Sequence, residues 1–242
     1  MYAIALEQRP QASRLMMAAT PPLAAALTLL AGAALFAAMG FDPVAALKAY
    51  FITPISTVRG VGEVLVTATP LITIAVGLAV GFRAGVWNIG AEGQLTLGAI
   101  CGGGVALAFY GEGGPWLLPL MIAAGVAGGM AWAAIPAFLR TRFNANEILV
   151  SLMLTYVATL LLSFLAHGPY RDPDGFAFPE SRLFEDWALY PLLYSGARAH
   201  LGLIFALAAA AAAWVLLTRM FIGFQIKVVG LTPQAAACAG FS

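Results

Sequence analysis

Long apolar stretches, each close to 20 residues and nearly free of charge, constrain this chain more than any other feature. They cover approximately residues 15–39, 63–82, 90–110, 116–139, 148–166 and 201–219. The hydrocarbon core of a bilayer is about 30 Å thick, so a helix needs roughly 20 apolar residues to cross it. The chain is 62% hydrophobic and 10% charged, whereas about 25% charged residues is usual in soluble domains. The sequence therefore predicts an all-α, polytopic transmembrane bundle with about six spans.

The basic residues between the spans predict how the bundle is oriented. Basic residues are enriched on the cytoplasmic side of membrane proteins. With the N-terminus inside, seven of the 12 Lys and Arg residues fall in inside segments. We therefore expect the N-terminal and C-terminal segments to lie on the cytoplasmic side. The sequence then divides into a cytoplasmic tail at 1–14 and a transmembrane domain at 15–219. Outer loops are expected at 41–62 and 167–200, and a cytoplasmic segment at 220–242.

The two outer loops differ in character. The first contains "PVAALKAYF", which predicts a short amphipathic helix at the membrane interface. The second combines turn-forming residues, aromatic residues and charges of both signs. That composition fits a docking surface outside the membrane and a merely solvated connector equally well.

Three polar residues lie in the apolar stretch "GVWNIGAEGQLTLGA", namely Asn88, Glu92 and Gln94. An ionisable side chain at mid-bilayer costs on the order of 3 kcal/mol, so it normally faces protein or a hydrated path. On a regular helix Asn88, Glu92 and Thr96 share one face and Gln94 lies on the other. The glycines of the stretch also permit a broken or re-entrant segment, since unwound backbone is tolerated where it lines a cavity. We expect Asn88 and Glu92 to belong to a functional site or a polar network.

A second polar group opens the fifth span with Asn146 and Glu147. Hydroxyl side chains continue from it along one row of the helix, at Ser151, Thr155, Thr159 and Ser163. Such a row fits contact with another helix or a hydrated path, but Ser and Thr also bond back to carbonyls of their own helix. We favour the second interpretation for the four hydroxyls. Glu147 could likewise be only a residue of the helix N-terminus.

The sequence excludes several classes of function. It has no GxxxxGK[ST] loop for ATP phosphates, no HExxH and no GxSxG, so we expect no catalytic residues. An intramembrane enzyme would need a nucleophile and a base at one depth, and Cys101, His167 and His200 do not form such a pair. Two cysteines and two histidines predict neither a disulfide framework nor a metal site, and we expect no cofactor. A net charge of +1 argues against nucleic acid as a partner.

Three segments together resemble the permease subunits of ABC importers. They are "FRAGVWNIGAEGQLTLGA" (82–99), "NEILVSLMLTYVA" (146–158) and "GFQIKVVGLTPQAAACAGFS" (223–242). The first is similar to the most recognisable stretch of the branch of the ribose and branched-chain amino-acid permease superfamily that handles nucleosides or simple sugars. The third is similar to the cytoplasmic loop of that branch. In it Thr232 can cap a short helix that has Pro233 at its first position.

The resemblance implies a multi-pass subunit of the bacterial inner membrane that imports a nucleoside or simple sugar. Its implied partners, besides the lipid bilayer, are cytoplasmic ATP-binding subunits, a second permease subunit and an extracytoplasmic solute-binding protein. Residues expected near the solute path are Asn88, Glu92, Gln94, Asn146 and Glu147. Residues expected to couple the chain to the ATPase are Gly230, Thr232, Ala235, Ala236 and Gly240. Permeases of this kind continue through further spans, so the resemblance also implies that the chain is an N-terminal portion or a truncated product.

Two other functions remain open at this point. A proton-coupled secondary transporter of a small polar solute would use Glu92 or Glu147 as its proton site. It predicts transport driven by a pH gradient without an ATPase. A structural assembly partner would need no path at all, and the polar residues within the spans argue against it.

Overall fold

The computed structural model describes residues 13–176 and 178–241, so most of the predicted tail at 1–14 lies outside the described residues. Within these ranges the chain is helical and forms no strand. The helices are α1 (Arg14–Ala38), α2 (Pro43–Phe51), α3 (Val58–Arg83), α4 (Ala91–Ala108), α5 (Leu117–Phe143), α6 (Glu147–His167), α7 (Gly202–Arg219), α8 (Phe221–Leu231) and α9 (Pro233–Cys238). Short 3₁₀ turns occur at Thr53–Ile55 and Asp186–Ala188. The prediction of an all-α polytopic membrane bundle is confirmed.

Five of the described helices, α1, α3, α5, α6 and α7, are long and apolar enough to cross a membrane. The predicted third span forms helix α4, which is not among these five. Glu92, Gln94 and several glycines fall within its 18 residues and lower its hydropathy. The least apolar of the six predicted spans is therefore a helix that depends on its neighbours for burial.

The described chain divides into two compact units at Val64 and Leu65. In the first unit, α1 packs against α2. The predicted short helix after the first span is confirmed as α2, where the Asp42 carboxylate accepts a hydrogen bond from the Val44 amide at 2.9 Å and Pro43 takes the first helical position. Both features favour helix initiation. The predicted location of α2 at the membrane interface stays a prediction.

In the second unit, α4 and α5 approach closely through glycine. A Cβ atom built on Gly98 would lie 3.0 Å from the Gly125 carbonyl oxygen, and one built on Gly125 would lie 3.2 Å from the Gly98 carbonyl oxygen. Farther along, Gly129 faces the Gln94 carbonyl oxygen at 3.3 Å. Small residues let two membrane helices pack backbone against backbone. Gly98, Gly125 and Gly129 therefore lie at the contact between α4 and α5, whereas Gly85 lies outside any helix.

Helix α6 packs on the other side of α4. A Cβ on Gly90 would lie 2.7 Å from the Ser151 Cβ, and a Cβ on Gly93 would lie 2.9 Å from the Thr155 Cα. Ser151 is buried as a result. Helix α4 is thus the centre of this unit, between α5 and α6, and the start of α4 lies beside the start of α6.

The loop between α6 and α7 folds back onto the opposite end of α4 and α5. The Tyr170 hydroxyl donates to the Ile100 carbonyl oxygen at 3.3 Å, and the Glu185 carboxylate accepts from the Gly111 amide at 3.2 Å. Ala188 is buried in a cluster with Ala106 and Leu117. The loop is therefore more than a solvated connector, although its docking role stays a prediction.

The ends of the second unit carry different segments. The turn before α4, the start of α6 and helix α8 lie at one end, and the α6–α7 loop lies at the other. This arrangement agrees with the predicted alternation of inside and outside segments. Which end faces the cytoplasm stays a prediction.

Candidate functional site

The turn before α4 is held by the side chain of Asn88. Helix α3 ends at Arg83, Gly85 follows with a φ of 71°, and the chain stays non-helical until Ala91. The Asn88 Oδ1 accepts from the Gly90 amide at 2.9 Å, and its Nδ2 donates to the Gln94 Oε1 at 3.1 Å. Asparagine favours such turns because its side chain hydrogen-bonds to backbone two residues on. The amide of Asn88 therefore joins the turn to the first turns of the helix.

This geometry corrects the helical pattern expected from the sequence. Asn88 precedes the helix, so it does not share a helical face with Glu92 and Thr96. It bonds instead to Gln94, the residue that regular spacing placed on the opposite side. The physical reason is the break at Gly85, where a positive φ turns the chain out of α3. The alternative of a broken entry into the span is the one that the structure adopts.

A groove with a cavity volume of about 780 Å³ runs along the contact between α4 and α5. Gln94 of α4 and Thr73 of α3 contribute polar groups to it. Glycine backbone and the side chains of Met121 and Met130 form much of the remaining surface. This volume lies within the range of small-molecule sites, which are mostly apolar with a few polar groups. The groove is therefore the candidate solute site of the described chain.

The α6–α7 loop closes one end of this groove with Phe184, Ala188 and Tyr190. Tyr190 stacks on His200 with ring centroids 5.4 Å apart. Burial raises the pKa of the Tyr190 phenol above its ordinary value of 10.0. Sequence reasoning missed these three residues, because the helix residues that line the groove lie more than 50 positions away in the chain.

Glu92 lies in the first turn of α4, and its side chain is exposed. It has no side-chain hydrogen bond or ion pair with residues in the described ranges. A carboxylate at a helix N-terminus is favoured by the helix dipole, but an exposed one in a predicted span still needs water or a partner. Glu92 does not line the groove, whereas Gln94 does.

Asn146 and Glu147 have local partners at the start of α6. The Asn146 Oδ1 accepts from the Ile148 and Leu149 amides at 3.0 and 3.3 Å, so Asn146 is the N-cap. Glu147 forms an ion pair with Arg140 in the last turn of α5, and its side chain is only 20% exposed. Neither residue lines the groove. Their predicted role near the solute path stays a prediction. In the structure, Asn146 caps α6 and Glu147 connects α6 to α5.

Three of the four hydroxyls in the row along α6 follow the interpretation that we favoured. Ser151 bonds to the Ile148 carbonyl oxygen at 3.2 Å, Thr155 to that of Ser151 at 3.1 Å, and Thr159 to that of Thr155 at 3.0 Å. These bonds satisfy the hydroxyls within their own helix. Ser151 and Thr155 also form the surface against which Gly90 and Gly93 pack.

The five predicted coupling residues differ in how far they are buried. Thr232, Ala235 and Gly240 are exposed, whereas Ala236 is buried. Gly230 is half-buried and faces the backbone of Arg83 and Ala84. The predicted short helix with Pro233 at its first position is confirmed as α9. Thr232 occupies the N-cap position, but its side chain makes no capping hydrogen bond, because its φ and ψ are not those of a typical N-cap.

Two contacts at this end could not be expected from sequence spacing alone. Arg140 was visible only as a basic residue that favours the cytoplasmic side, and its partner lies across a turn that Asn144 closes with a φ of 53°. Gly230 faces the turn after α3, and its predicted role in coupling to an ATPase stays a prediction. Among the described residues no group of three His, Cys, Asp or Glu side chains is placed to hold a metal.

The helices, the central α4 and the groove define a multi-pass α-helical membrane protein. Residues 60–242 match a family described as the branched-chain amino acid transport system / permease component. The chain belongs to this permease family. A location in a bacterial inner membrane fits both this membership and the five apolar helices.

Three relatives show the range of proteins that the chain is similar to. The glucose ABC transporter permease protein TsgB13 of Haloferax volcanii is 40% identical over 92% of this chain and 61% of its own length. The nucleoside ABC transporter permease protein NupB of Lactococcus lactis is 29% identical over 92% and 63%. The guanosine ABC transporter permease protein NupP of Bacillus subtilis is 32% identical over 92% and 64%. The chain therefore spans about three fifths of the length of these relatives. No solved structure matches it significantly.

Proposed function

We propose that this chain contributes to the membrane path of an ATP-driven importer for a nucleoside or a simple sugar. The observation that carries the proposal is the polar turn at the groove, where Asn88 holds Gln94 and Gln94 lines the cavity. Amide groups supply both donors and acceptors, which suits the hydroxyls of such solutes. The names of the three relatives support the same class of solute.

The proposed division of labour leaves ATP hydrolysis to partner subunits. The exposed residues Thr232, Ala235 and Gly240 on and after α9 are the proposed contact with a cytoplasmic ATP-binding subunit. A second permease subunit would complete the path, and a solute-binding protein would deliver the solute from outside. Solute and ATPase must each bind some conformations of the permease better than others, because only differential binding can couple them.

Glu92 is the sharpest test of this proposal. In the complete transporter, we expect Glu92→Ala to abolish solute uptake while membrane insertion is kept. The exposed carboxylate has no partner in the described chain, so its loss removes no internal contact. Uptake of labelled nucleosides and sugars, with immunoblots of membrane fractions, measures both properties. Uptake at the unmodified level in this variant would contradict the role of Glu92.

The energy source is tested separately in proteoliposomes. We expect solute transport only when the ATP-binding subunits and ATP are present. A pH gradient alone should drive none. Transport driven by the gradient without the ATPase would favour the proton-coupled alternative, which the relatives do not favour.

A further inference from the structure

The last turn of α8 rests directly on the turn that follows α3. A Cβ atom on Gly230 would overlap the Arg83 carbonyl oxygen and lie 3.0 Å from the Ala84 carbonyl carbon. From the other side, a Cβ on Gly85 would lie 3.4 Å from both the Cα and the carbonyl oxygen of Gly230. No side chain separates the two backbones. Only glycine at position 230 permits this approach without a shift of one segment.

Helices α8 and α9 are joined by a backbone hydrogen bond and by packed aromatic rings. After α9 the chain turns back, and the Phe241 amide donates to the Ala236 carbonyl oxygen at 2.9 Å. The Phe241 ring then packs on Phe221 and Phe224 of α8, with centroids 6.0 and 6.4 Å apart. Ala236, at 1% exposure, is buried within this unit. Because of these contacts, we expect a displacement of α9 to displace α8 and Gly230 as well.

On its other side, the turn after α3 leads to the groove. The Val86 amide bonds to the Gly81 carbonyl oxygen at 3.0 Å, which fixes the turn to the end of α3. Two residues later Asn88 begins the hydrogen bonds that reach Gly90 and Gln94. Because close-packed protein has low compressibility and transmits strain, movement of the turn would move the amide of Gln94 at the groove.

We propose that Gly230 is a positioning residue that transmits the position of α9 to Gln94 through the turn after α3. This inference rests on the proposed function, because it assigns the α9 surface to a partner that pushes or pulls on it. It differs from a direct partner contact, since Gly230 faces the chain's own backbone. The exposed residues of α9 would receive the partner, and Gly230 would pass the displacement on.

The test uses the complete transporter with its ATP-binding subunits and compares Gly230→Ala with Gly77→Ala. Gly77 is the matched control, because a Cβ there meets nothing within 4 Å. The measurements are co-purification of the ATPase, ATP hydrolysis and solute uptake. For Gly230→Ala we expect normal ATPase binding and about tenfold less solute moved per ATP hydrolysed, a size typical of lost coupling between sites. Gly77→Ala should keep the unmodified ratio.

A second variant disturbs the same contact from the opposite side. Gly85→Ala would place a Cβ 3.4 Å from Gly230 and would also strain the turn, because the φ of Gly85 is 71°, so it should lower the same ratio as well. An unchanged ratio in both variants would overturn the proposal. Proportional loss of ATPase binding, hydrolysis and uptake would also overturn it, because that pattern belongs to a partner contact or a packing defect. Failure of the unmodified complex to couple ATP to uptake would instead contradict the proposed function.

Discussion

The starts of α4 and α6 contain the same residue types, but these residues make different contacts. Each has an asparagine just before the helix and a glutamate within its first turn. At α6 both side chains are engaged, Asn146 by two amides and Glu147 by Arg140. At α4, Asn88 donates a hydrogen bond to Gln94, which lines the groove, and Glu92 has no partner among the described residues. A polar pair in a membrane helix can thus be structural or available for function, and its partners decide which.

The contact that joins the two regions should give the largest effect on stability. Gly90→Ala would place a Cβ 2.7 Å from the Ser151 Cβ and force α4 and α6 apart. We expect a loss of about 2 kcal/mol in the free energy of unfolding, typical of overpacking. Thermal unfolding in detergent measures it, with Gly77→Ala as the control in open space. Equal melting temperatures for the two variants would show that the starts of α4 and α6 are not packed as described.

The second-largest effect on stability is expected at the ion pair of the α6 region. Arg140→Gln or Glu147→Gln alone should lower the free energy of unfolding by about 1–2 kcal/mol, between values for exposed and buried pairs. The Glu147 side chain is only 20% exposed, so it loses its partner without regaining full hydration. The double variant should lower the free energy of unfolding by less than the sum of the two single variants. Additive losses in this double-mutant cycle would mean that the pair does not interact.

The two asparagines provide a more direct comparison. Asn146→Ala removes an N-cap and should cost about 1 kcal/mol, with solute uptake preserved once the protein is inserted. Asn88→Ala should cost a similar amount and also reduce uptake, because Gln94 loses the donor that holds it. Unfolding curves and uptake per inserted protein separate the two effects. Equal uptake in both variants would remove the functional distinction between the regions.

The smallest stability effect is expected at Glu92. Glu92→Gln should leave the free energy of unfolding within about 0.5 kcal/mol of the original, as for surface substitutions without partners. Glu147→Gln is the matched variant, with the same change in the first helical turn of the other region. A drop of more than about 1 kcal/mol for Glu92→Gln would reveal a stabilising contact at this carboxylate.

Much of the fold could be predicted because local chemistry specifies it. The apolar runs predicted the long helices, the stretch "PVAALKAYF" predicted α2, and Pro233 predicted the start of α9. The internal bonds of the α6 hydroxyls also follow from local geometry. The groove and its closing loop could not be predicted, since Phe184 and Tyr190 reach α4 and α5 only through long-range folding.

The sequence by itself determined a helical membrane protein, because the solvation of apolar side chains depends on their number and order along the chain. It also determined which residues are costly in a membrane. Only the tertiary structure decided which of them are satisfied. The positive φ at Gly85 brought Asn88 to Gln94, the turn at Asn144 stands between Arg140 and its partner Glu147, and close backbone packing turned Gly230 toward the chain itself. These outcomes depend on where backbones meet, and residue spacing along a regular helix does not contain that information.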